Sequence, residues 1–555
     1  MSLKKDLAIY KPRKEQKEVL KFISDTISGK PDTKFFLLNL PPGIGKSHLA
    51  LMIADYYQKN INKTSKFDII TNSKILQDQY ANTYESINDL RGKENYECES
   101  YSCSCAQGQE FNRLNKTTCE SCPHASARDS FITGNISLTN FYLYILYAIY
   151  NKKMFDSRDA RVLIVDEAHE FDDVMSDFIS IRISENIIKK FKFSNESDLL
   201  RKIKSITSIS DYITFLEYLS GEIISTVDDM DKSMSSQKRN AKSDKRDLKL
   251  SKVLKSKNSD VKIMQLVTDL KQYQTKIEVF LKEYKINPNN WVLETNYNEK
   301  LKQKELSLEP IWAYDYLDKY VFSQYDMVVL MSGTILDKNL FCQLNGLDVT
   351  KAVYYSIDSP FPVKNRPVYY MPVGKMSYKN KEETFKKYIP YIQKILNKYK
   401  DKKGIIHTNS FELANWIKTS IKDPRLIFHD SSNKDEMLKM HFESDKPTVL
   451  ISPSMDTGVS FDDDKARFQV IAKIPFPSLA SQKNKLRMKN NPDWYAWKTC
   501  CTIQQACGRI IRSEVDYGDT IIIDGSFGDV MKHSSYFLTN WFQNSISKVN
   551  VNVNA

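Results

Sequence analysis

The 555-residue sequence lacks any apolar run long enough to cross a membrane. A spanning helix needs about 20 consecutive apolar residues, which no segment approaches. The first residues, MSLKKDLAIYKPRKEQ, also lack the apolar stretch of a signal peptide. We therefore expect a cytoplasmic protein with no membrane partner, whose cysteines stay reduced.

Internal repeats and low-complexity segments are also missing. Apolar residues make up 41% of the chain and charged residues 27%, which excludes a disordered or a fibrous protein. At about 100–200 residues per domain, the length predicts about three or four packing units. Lys and Arg (81) outnumber Asp and Glu (69), and the resulting net charge of +12 suits a polyanionic partner without requiring one.

Short apolar runs rich in β-branched and aromatic residues recur along the chain. Each is followed by a loop and a helix-like pattern, and they lie at 34–40, 161–167, 327–333, 404–408, 448–452 and 520–524. Strands that alternate with helices indicate an α/β fold with parallel sheets. Between about 175 and 308 this alternation fades into a mostly helical pattern, which we interpret as an inserted domain.

The segment LPPGIGKS (40–47) follows the first apolar run and precedes a helical pattern. Apart from Leu40, which replaces the usual first glycine, it fits a phosphate-binding loop. Glycines let the backbone N–H groups surround phosphate oxygens, while Lys46 reaches the β and γ phosphates and Ser47 ligates Mg²⁺. The predicted nucleotide-binding residues are Pro42, Gly43, Ile44, Gly45, Lys46 and Ser47.

A second apolar run ends in two acids, in VLIVDEAH (162–169). This pattern places carboxylates at the edge of a sheet, beside the nucleotide. We expect Asp166 to hold Mg²⁺ through water and Glu167 to orient and deprotonate the attacking water.

Five of the nine cysteines fall within 25 positions: Cys98, Cys103, Cys105, Cys119 and Cys122. In a reducing compartment, clustered thiols predict a metal site. The spacing in CESC (119–122) is common to zinc and iron-sulfur sites, so spacing alone does not separate the two metals. We interpret the other four, Cys342, Cys500, Cys501 and Cys507, as packing residues.

Seven segments, taken in order, resemble the XPD and DinG branch of superfamily 2, the iron-sulfur DNA helicases. They are YKPRKEQ, LPPGIGKS, RGKENYEC, VDEAH, SGTILD, SPFPVKNRPV and QACGRIIR, and the resemblance spans about residues 10 to 530. It implies two RecA-like parallel-sheet motor domains, with an iron-sulfur cluster domain and a mainly helical arch domain inserted in the first. The implied division is 1–97, 126–174 and 309–345 for the first motor domain, 98–125 for the cluster domain, 175–308 for the arch and 346–555 for the second motor domain.

The same resemblance implies roles for further residues. Gln505, Arg509 and Arg512 should reach from the second motor domain to the nucleotide, with both arginines on the developing phosphate charge. Arg13 and Gln16 should recognise adenine. A [4Fe-4S] cluster should be held by Cys98, Cys105, Cys119 and Cys122, with Cys103 as the alternative to Cys105 as second ligand.

Nucleic-acid contacts are expected in loops at the strand ends that also carry the nucleotide. The candidates are Thr71, Asn72, His407, Thr408, Asn409, Thr457 and Gly458. Tyr96, Tyr101 and Phe141 could stack on bases, although core packing explains each of them equally well.

The sequence thus predicts an ATP-hydrolysing, Mg²⁺-dependent DNA helicase that moves along single-stranded DNA and separates a forked duplex at an iron-sulfur wedge. The resemblance alone implies 5′ to 3′ movement, a monomer and a place in DNA repair. One alternative is an ATP-driven translocase or RNA-directed remodeller that does not unwind DNA. Another is a metal-dependent nucleic-acid-binding protein with a vestigial ATPase, although the motor residues are all present.

Overall fold

The computed structural model describes residues 3–101, 103–115, 117–119, 121–241, 250–298, 303–430, 432–454 and 459–549. The strands are β1 (Phe35–Asn39), β2 (Lys66–Thr71), β3 (Ile87–Asp89), β4 (Glu97–Cys98), β5 (Cys103–Ser104), β6 (Ile136–Asn140), β7 (Ala160–Asp166), β8 (Ile181–Ser184), β9 (Trp291–Asn298), β10 (Gln303–Pro310), β11 (Met327–Ser332), β12 (Ala352–Ser356), β13 (Val368–Gly374), β14 (Gly404–His407), β15 (Leu426–Phe428), β16 (Val449–Ser452), β17 (Phe468–Ile471), β18 (Asp519–Asp524) and β19 (Ile546–Lys548).

Helices connect most of these strands. They are α1 (Leu3–Leu7), α2 (Lys14–Gly29), α3 (Lys46–Asn60), α4 (Lys74–Thr83), α5 (Cys105–Asn115), α6 (Pro123–Thr133), α7 (Phe141–Tyr150), α8 (Lys152–Arg158), α9 (Phe171–Ile179), α10 (Glu185–Phe191), α11 (Glu196–Ser205), α12 (Ile209–Ala241), α13 (Leu250–Ile286), α14 (Tyr314–Tyr320), α15 (Lys338–Asn345), α16 (Lys381–Lys398), α17 (Phe411–Ser420), α18 (Lys434–Glu443), α19 (Gln482–Asn490), α20 (Pro492–Cys507), α21 (Phe527–His533) and α22 (Asn540–Gln543). Within the described ranges, no helix combines the length and the apolar character that a membrane crossing requires.

Two seven-stranded sheets form the centres of two α/β domains. Their strand orders are β12-β1-β11-β7-β2-β6-β3 and β15-β16-β14-β17-β18-β13-β19. Neighbouring strands run parallel in both sheets. Because β1, β11 and β14 are buried along their whole length, they read as continuous apolar runs, as strands covered on both faces do. The predicted parallel α/β fold is confirmed.

A smaller antiparallel sheet lies at the base of the predicted helical insertion. Its strand order is β8-β10-β9, and the long helices α12 and α13 lie between β8 and β9 in the sequence. The sequence analysis did not predict this sheet, because its polar, alternating strands resemble the helical segments around them.

The strand β12 corrects one predicted boundary. It pairs with β1 in the first sheet, from Phe35 opposite Ala352 to Asn39 opposite Ser356. The first domain therefore continues past residue 345, where the sequence analysis ended it. The physical reason is that β12 covers the edge of β1, which would otherwise leave backbone hydrogen-bonding groups exposed. The other domain limits remain predictions.

The helix α20, which we call the junction helix, packs against both domains. On one side, Trp497 Nε1 donates a hydrogen bond to the Ile335 carbonyl of the first domain at 2.9 Å. On the other side, Gln504 Nε2 donates to the Phe537 carbonyl of the second domain at 3.1 Å. The residues that follow this helix are therefore positioned by both domains at once.

A buried arginine ties together several segments of the first domain. The Arg158 side chain is 1% exposed and forms an ion pair with Asp68, which also accepts a hydrogen bond from Tyr325 at 2.6 Å. The other guanidinium nitrogens of Arg158 donate hydrogen bonds to the carbonyls of Phe131 and Phe67, each at 2.7 Å. Because Asp68 lies in β2 and Phe131 in α6, this guanidinium joins the central sheet to the segment that follows the clustered cysteines.

Replacing Arg158 by methionine should therefore lower the free energy of unfolding by about 3–5 kcal/mol, because it leaves the buried Asp68 carboxylate without its positively charged partner. Urea unfolding followed by circular dichroism measures this loss. Arg161→Met is the matched control, since that side chain is 49% exposed and forms only surface ion pairs with Asp159 and Asp326. Its cost should stay below about 1 kcal/mol. Equal losses in the two variants would contradict the structural role of Arg158.

Candidate nucleotide and nucleic-acid site

A cleft of about 410 Å³ lies where the two α/β domains face each other. The first domain contributes the phosphate-loop segment and the acidic end of β7, and the second contributes the end of the junction helix and the residues after it. The predicted site residues that line the cleft are Gly43, Gly45, Lys46, Ser47, Asn72, Asp166, Glu167, Gln505, Arg509 and Arg512. The fold thus brings together residues that are far apart in the sequence.

The loop between β1 and α3 requires glycine at two positions. Gly43 and Gly45 have φ values of +82° and +81°, which side-chain-bearing residues rarely adopt. A Cβ atom on Gly43 would approach the Phe361 ring to 2.5 Å, and one on Gly45 would approach Gln16 Nε2 to 2.7 Å. This turn places the first backbone N–H groups of α3 at the cleft, where they can bind an anion.

Arg13 and Gln16 hold this loop from outside. Arg13 Nη1 donates to the Gly43 carbonyl at 2.5 Å. Gln16 Nε2 donates to the carbonyls of Ile44 at 3.1 Å and Gly45 at 3.0 Å. Supporting the loop is a role that the sequence analysis missed, and adenine recognition by these two residues stays a prediction.

Two other loop residues act through packing. Ile44 is fully buried. Pro42 lies beside Gly508 of the second domain, where an added Cβ would come within 2.8 Å of the proline ring. Because Pro42 and Ile44 pack against protein, the part of the loop that lines the cleft consists of the two glycines, Lys46 and Ser47.

Lys46 lies between the two predicted catalytic acids. Its ammonium forms an ion pair with Glu167 Oε1 and lies 3.7 Å from Asp166 Oδ1. Burial lowers the pKa of Lys46, but the two carboxylates outweigh burial and the pKa is raised overall. For Glu167 the effects are reversed: burial raises its pKa, but the attraction to Lys46 and His169 outweighs burial and holds that pKa below its usual value. The Glu167 carboxylate therefore stays ionised at neutral pH.

Tyr80 is a functional candidate that the sequence analysis missed. Its hydroxyl donates to Asp166 Oδ2 at 3.1 Å and also forms a hydrogen bond with the Ser47 side chain. It thereby links the two residues predicted to bind Mg²⁺. A hydroxyl and a carboxylate are the hard oxygen donors that Mg²⁺ prefers, so the residues present fit this ion.

A chain of hydrogen bonds joins the second domain to the DEAH segment. Gln505 Nε2 donates to Thr334 Oγ1 at 2.9 Å, and the Thr334 backbone N–H donates to Ser332 Oγ at 3.0 Å. Ser332 Oγ in turn lies 2.8 Å from His169 Nδ1. The motif SGT (332–334) therefore connects Gln505 to the histidine next to the catalytic acids.

The two predicted arginines occupy different environments. Arg509 is only 6% exposed and donates to the Val459 carbonyl. Arg512 is exposed, donates from Nε to Ser460 Oγ at 3.1 Å, and interacts electrostatically with Glu167 across the cleft. Of the two, Arg512 is the better placed to reach a phosphate.

Comparisons with known proteins point to helicases. A family model described as helicase C-terminal domain matches residues 392–545, and one described as type III restriction enzyme, res subunit, matches residues 9–196. A probable ATP-dependent helicase of Methanocaldococcus jannaschii is 21% identical, over 96% of this chain and 95% of that protein. The ATP-dependent DNA helicase CHL1 of Vanderwaltozyma polyspora is 23% identical over 74% of this chain, which spans 56% of that relative's length.

Solved structures show the same fold. An XPD helicase structure superposes with a TM-score of 0.60 at 16% identity, covering 98% of this chain and 100% of the other. The Xpd4 structure of S. tokodaii gives a TM-score of 0.57 at 14% identity, covering 97% of this chain and 100% of the other. Together these matches support an XPD/DinG-like superfamily 2 helicase. The two parallel-sheet domains are its RecA-like motor domains, and the enzyme is an ATP-hydrolysing helicase, as the sequence predicted.

Three of the residues predicted to contact nucleic acid in this helicase are buried. Thr71 and Thr408 are fully buried, and their hydroxyls donate to the carbonyls of Ser73 at 3.2 Å and Ser410 at 3.0 Å. His407 is 1% exposed, and burial together with nearby Arg509 lowers its pKa to about 3. These side chains lie buried at the ends of their strands, and their contact with a nucleic-acid strand stays a prediction.

The other predicted contacts are nearer the surface or outside the described residues. Asn72 and Asn409 are half-buried, and Asn409 Nδ2 donates to the Lys473 carbonyl at 2.8 Å. Thr457 and Gly458 lie outside the described residues. Of the three aromatic residues considered for stacking, Phe141 is a core residue, while Tyr96 and Tyr101 are half-buried.

An aromatic pair that the sequence analysis missed lies on the second motor domain. Phe476 is 41% exposed and stacks on Tyr495, with ring centroids 5.9 Å apart and planes inclined by 10°. Phe476 lines a groove of about 480 Å³ together with Asn409 and Lys498. The signal in the sequence was a phenylalanine between two prolines, which is not a typical core pattern.

The clustered cysteines of this helicase lie in one small unit made of β4, β5, α5 and the start of α6. Cys98 Sγ lies 4.0 Å from Cys119 Sγ, and Cys105 forms a side-chain hydrogen bond with Cys122. Cys103 pairs with Cys98 across the β4–β5 hairpin. Five thiols lie in this unit, and four of them would supply the donors of an iron-sulfur site.

The thiols are not arranged around a single ion. In the part of the chain that the structure describes, no three His, Cys, Asp or Glu side chains form a group that could hold a metal ion. Asn112 Nδ2 also lies 2.8 Å from Cys119 Sγ. The metal therefore stays a proposal. Outside the cluster, Cys342, Cys500 and Cys501 are buried and Cys507 is half-buried, in agreement with packing roles.

Proposed function

We propose that this helicase uses ATP to move 5′ to 3′ along single-stranded DNA, as a monomer, and to separate a forked duplex. The observation that carries the proposal is the cleft, where the phosphate loop and two acids of one motor domain face Arg512 of the other. Binding of ATP at such a cleft favours its closure, and hydrolysis reopens it, which moves the two domains relative to each other.

The residues of the cleft have distinct roles in this proposal. Lys46 would leave its ion pair with Glu167 and bind the β and γ phosphates, because the carboxylate and the phosphates compete for the same ammonium. Glu167 would then be free to orient a water molecule and accept its proton. Ser47 and Asp166 would hold Mg²⁺, which neutralises phosphate charge when it is bound. Arg512 would stabilise the charge that develops on the γ phosphate.

The strand would lie across the surface that carries Asn72 and Asn409. Amides donate hydrogen bonds to a nucleic-acid backbone, and exposed aromatic faces accept stacked bases. The exposed Phe476 ring and the groove beside it supply such a face on the second motor domain. DNA as the substrate is supported by the relative named ATP-dependent DNA helicase.

Unwinding of tailed duplexes tests this function most directly. We expect ATP-dependent separation of a DNA duplex with a 5′ single-stranded tail and little separation of one with a 3′ tail. The opposite preference would contradict the proposed direction. DNA-stimulated ATP hydrolysis without separation of either duplex would instead favour a translocase, and hydrolysis stimulated only by RNA would favour a remodeller.

We further propose that Cys98, Cys105, Cys119 and Cys122 hold a [4Fe-4S] cluster, whose bonds to four thiolates would stabilise this small unit. Its support is the shared location of the thiols and the close packing of α5 on β4, where a Cβ on Gly108 would approach Cys98 Sγ to 2.4 Å. A rigid unit beside the strand path would serve as the wedge that parts the duplex.

Metal analysis of the purified protein checks this proposal. We expect a brown protein that contains iron and sulfide in equal amounts. Cys105→Ser should lose both, whereas Cys103→Ser should keep them, because we assign Cys105 as the second ligand. A colourless protein with stoichiometric zinc would overturn the cluster, and the reverse pattern in the two serine variants would make Cys103 the ligand.

A further inference from the structure

Glu170, which has no role in the function described above, contacts two parts of the motor at once. Its Oε2 accepts a hydrogen bond from Asn72 Nδ2 at 2.6 Å, and its Oε1 lies 3.5 Å from His169 Nε2. Asn72 is the first residue after β2, in the loop expected to touch the strand. One carboxylate therefore lies between this loop and the histidine beside the catalytic acids.

The charge of Glu170 restricts what both neighbours can do. Burial raises its pKa, but the hydrogen bonds from His169 and Asn72, together with electrostatic attraction to His169 and Lys498, outweigh burial and lower that pKa to about 2. An ionised carboxylate only accepts hydrogen bonds, so both neighbours must donate. Asn72 must present its NH₂ group, and His169 must carry a hydrogen on Nε2.

This arrangement excludes the tautomer of His169 that carries its hydrogen on Nδ1 alone. With the hydrogen on Nε2, the other nitrogen Nδ1 keeps its lone pair and can accept a hydrogen bond from Ser332 Oγ, 2.8 Å away. Ser332 is the residue through which Gln505 of the second domain reaches this histidine. The opposite tautomer would place two acceptors, the bare Nε2 and the Glu170 carboxylate, at one contact.

The Asn72 amide is only partly used in this arrangement. Its Oδ1 atom is buried and has no hydrogen-bond partner among the residues that the structure describes. The Asn72 amide therefore uses only its NH₂ group in the contact with Glu170. A strand that binds this loop offers the amide new partners. Any movement of Asn72 changes how Glu170 is held against His169.

We propose that Glu170 is a positioning residue that fixes the tautomer of His169 and thereby links the Asn72 loop to the hydrolytic acids and Ser332. The inference rests on the proposed function, since the strand is what Asn72 would bind. It names the route by which a bound strand raises the rate of ATP hydrolysis. A strand bound at Asn72 changes the hydrogen bond between Asn72 and Glu170. The His169 imidazole, whose tautomer Glu170 fixes, transmits this change to Glu167 and Gln505.

Two substitutions of similar size test the role. Glu170→Gln keeps an oxygen that accepts from His169 Nε2, while its NH₂ group can donate to the unpartnered Asn72 Oδ1. Glu170→Met has a similar length but makes neither hydrogen bond. We measure kcat and KM for ATP at saturating single-stranded DNA and without DNA, and we follow folding by thermal melting.

The expected results separate positioning from general damage. Glu170→Met should lower the DNA-stimulated kcat by about 10- to 100-fold, with KM for ATP changed by less than about threefold. Glu170→Gln should retain stimulation within about threefold of the wild type. Asn72→Ala should lower the ratio of stimulated to basal kcat in the wild-type background and leave it unchanged in the Glu170→Met background.

Three results would overturn the inference. If DNA stimulates kcat in Glu170→Met as much as in the wild type, Glu170 has no such role. If Glu170→Gln and Glu170→Met lose equal stimulation, the effect comes from the charge of Glu170 and not from the tautomer of His169. An undiminished effect of Asn72→Ala in the Glu170→Met background would show that the two residues act separately. Wild-type protein without DNA-stimulated hydrolysis would instead contradict the proposed function, so the two failures are distinguishable.

Discussion

Replacing Arg512 by alanine is expected to lower kcat for ATP hydrolysis by about 10³- to 10⁵-fold, the effect typical of arginines that reach a transferred phosphoryl group from another domain. The side chain is exposed in the cleft and interacts electrostatically with Glu167 of the opposite motor domain. Its planar guanidinium can donate two parallel hydrogen bonds to phosphate oxygens, whereas alanine leaves the developing charge unstabilised. Steady-state hydrolysis at saturating ATP, with and without single-stranded DNA, measures the loss.

The control for Arg512 is a second exposed arginine far from the cleft. Arg201 lies on α11, its side chain is 82% exposed, and Arg201→Ala should leave kcat unchanged. Arg512→Lys should recover only part of the activity, because it restores the charge but not the fork of donors. A loss below about tenfold in Arg512→Ala would show that another group stabilises the phosphate charge.

Lys46→Ala should lower kcat for ATP hydrolysis by at least about 10²- to 10³-fold, which is the typical cost of removing one preorganised electrostatic group from a transition state. The variant loses the ammonium that would bind the phosphates. It also leaves Asp166 and Glu167 without their shared cation, so the pKa of Glu167, which Lys46 now lowers, should rise. The remaining activity should therefore fall further as the pH is lowered towards the new pKa.

A lysine on the same helix provides the control for Lys46. Lys59 lies near the end of α3, its side chain is 53% exposed, and its ion pair with Asp55 is a surface contact. Lys59→Ala should keep wild-type kcat and lose less than about 1 kcal/mol of unfolding free energy. Hydrolysis that persists in Lys46→Ala, with melting unchanged, would remove this cleft as the site of ATP turnover.

The parts of the site that the sequence predicted are contiguous motifs. LPPGIGKS and VDEAH each place their functional residues within a few positions of one another, and the strand before each motif fixes where those residues lie. The structure gives Gly43 and Gly45 positive φ values and places Lys46, Asp166 and Glu167 together at one cleft. Short-range spacing could predict them because a loop at the end of a buried strand has few ways to fold.

The residues that the sequence analysis missed act through contacts between distant segments. Tyr80 reaches Asp166 across 86 positions, and Asn72 reaches Glu170 across 98. No pattern near Tyr80 distinguishes it from an ordinary helix residue, and Glu170 lies one position beyond the VDEAH motif, which does not include it. The burial of Thr71 and His407 could not be predicted either, because a motif position at a strand end does not tell whether the side chain points to the surface or into the sheet.

The junction helix has a consequence for the order in which the chain folds during its synthesis. Trp497 contacts Ile335 of the first motor domain, although the two residues are 162 positions apart in the sequence. At about 5–20 residues per second, a ribosome needs roughly 10 to 30 s to make the intervening chain. Throughout that interval the first motor domain exposes the apolar surface that α20 later covers. We therefore expect the first motor domain to remain a target for chaperones until the second is nearly complete, and a fragment that stops before α20 to aggregate when it is expressed alone.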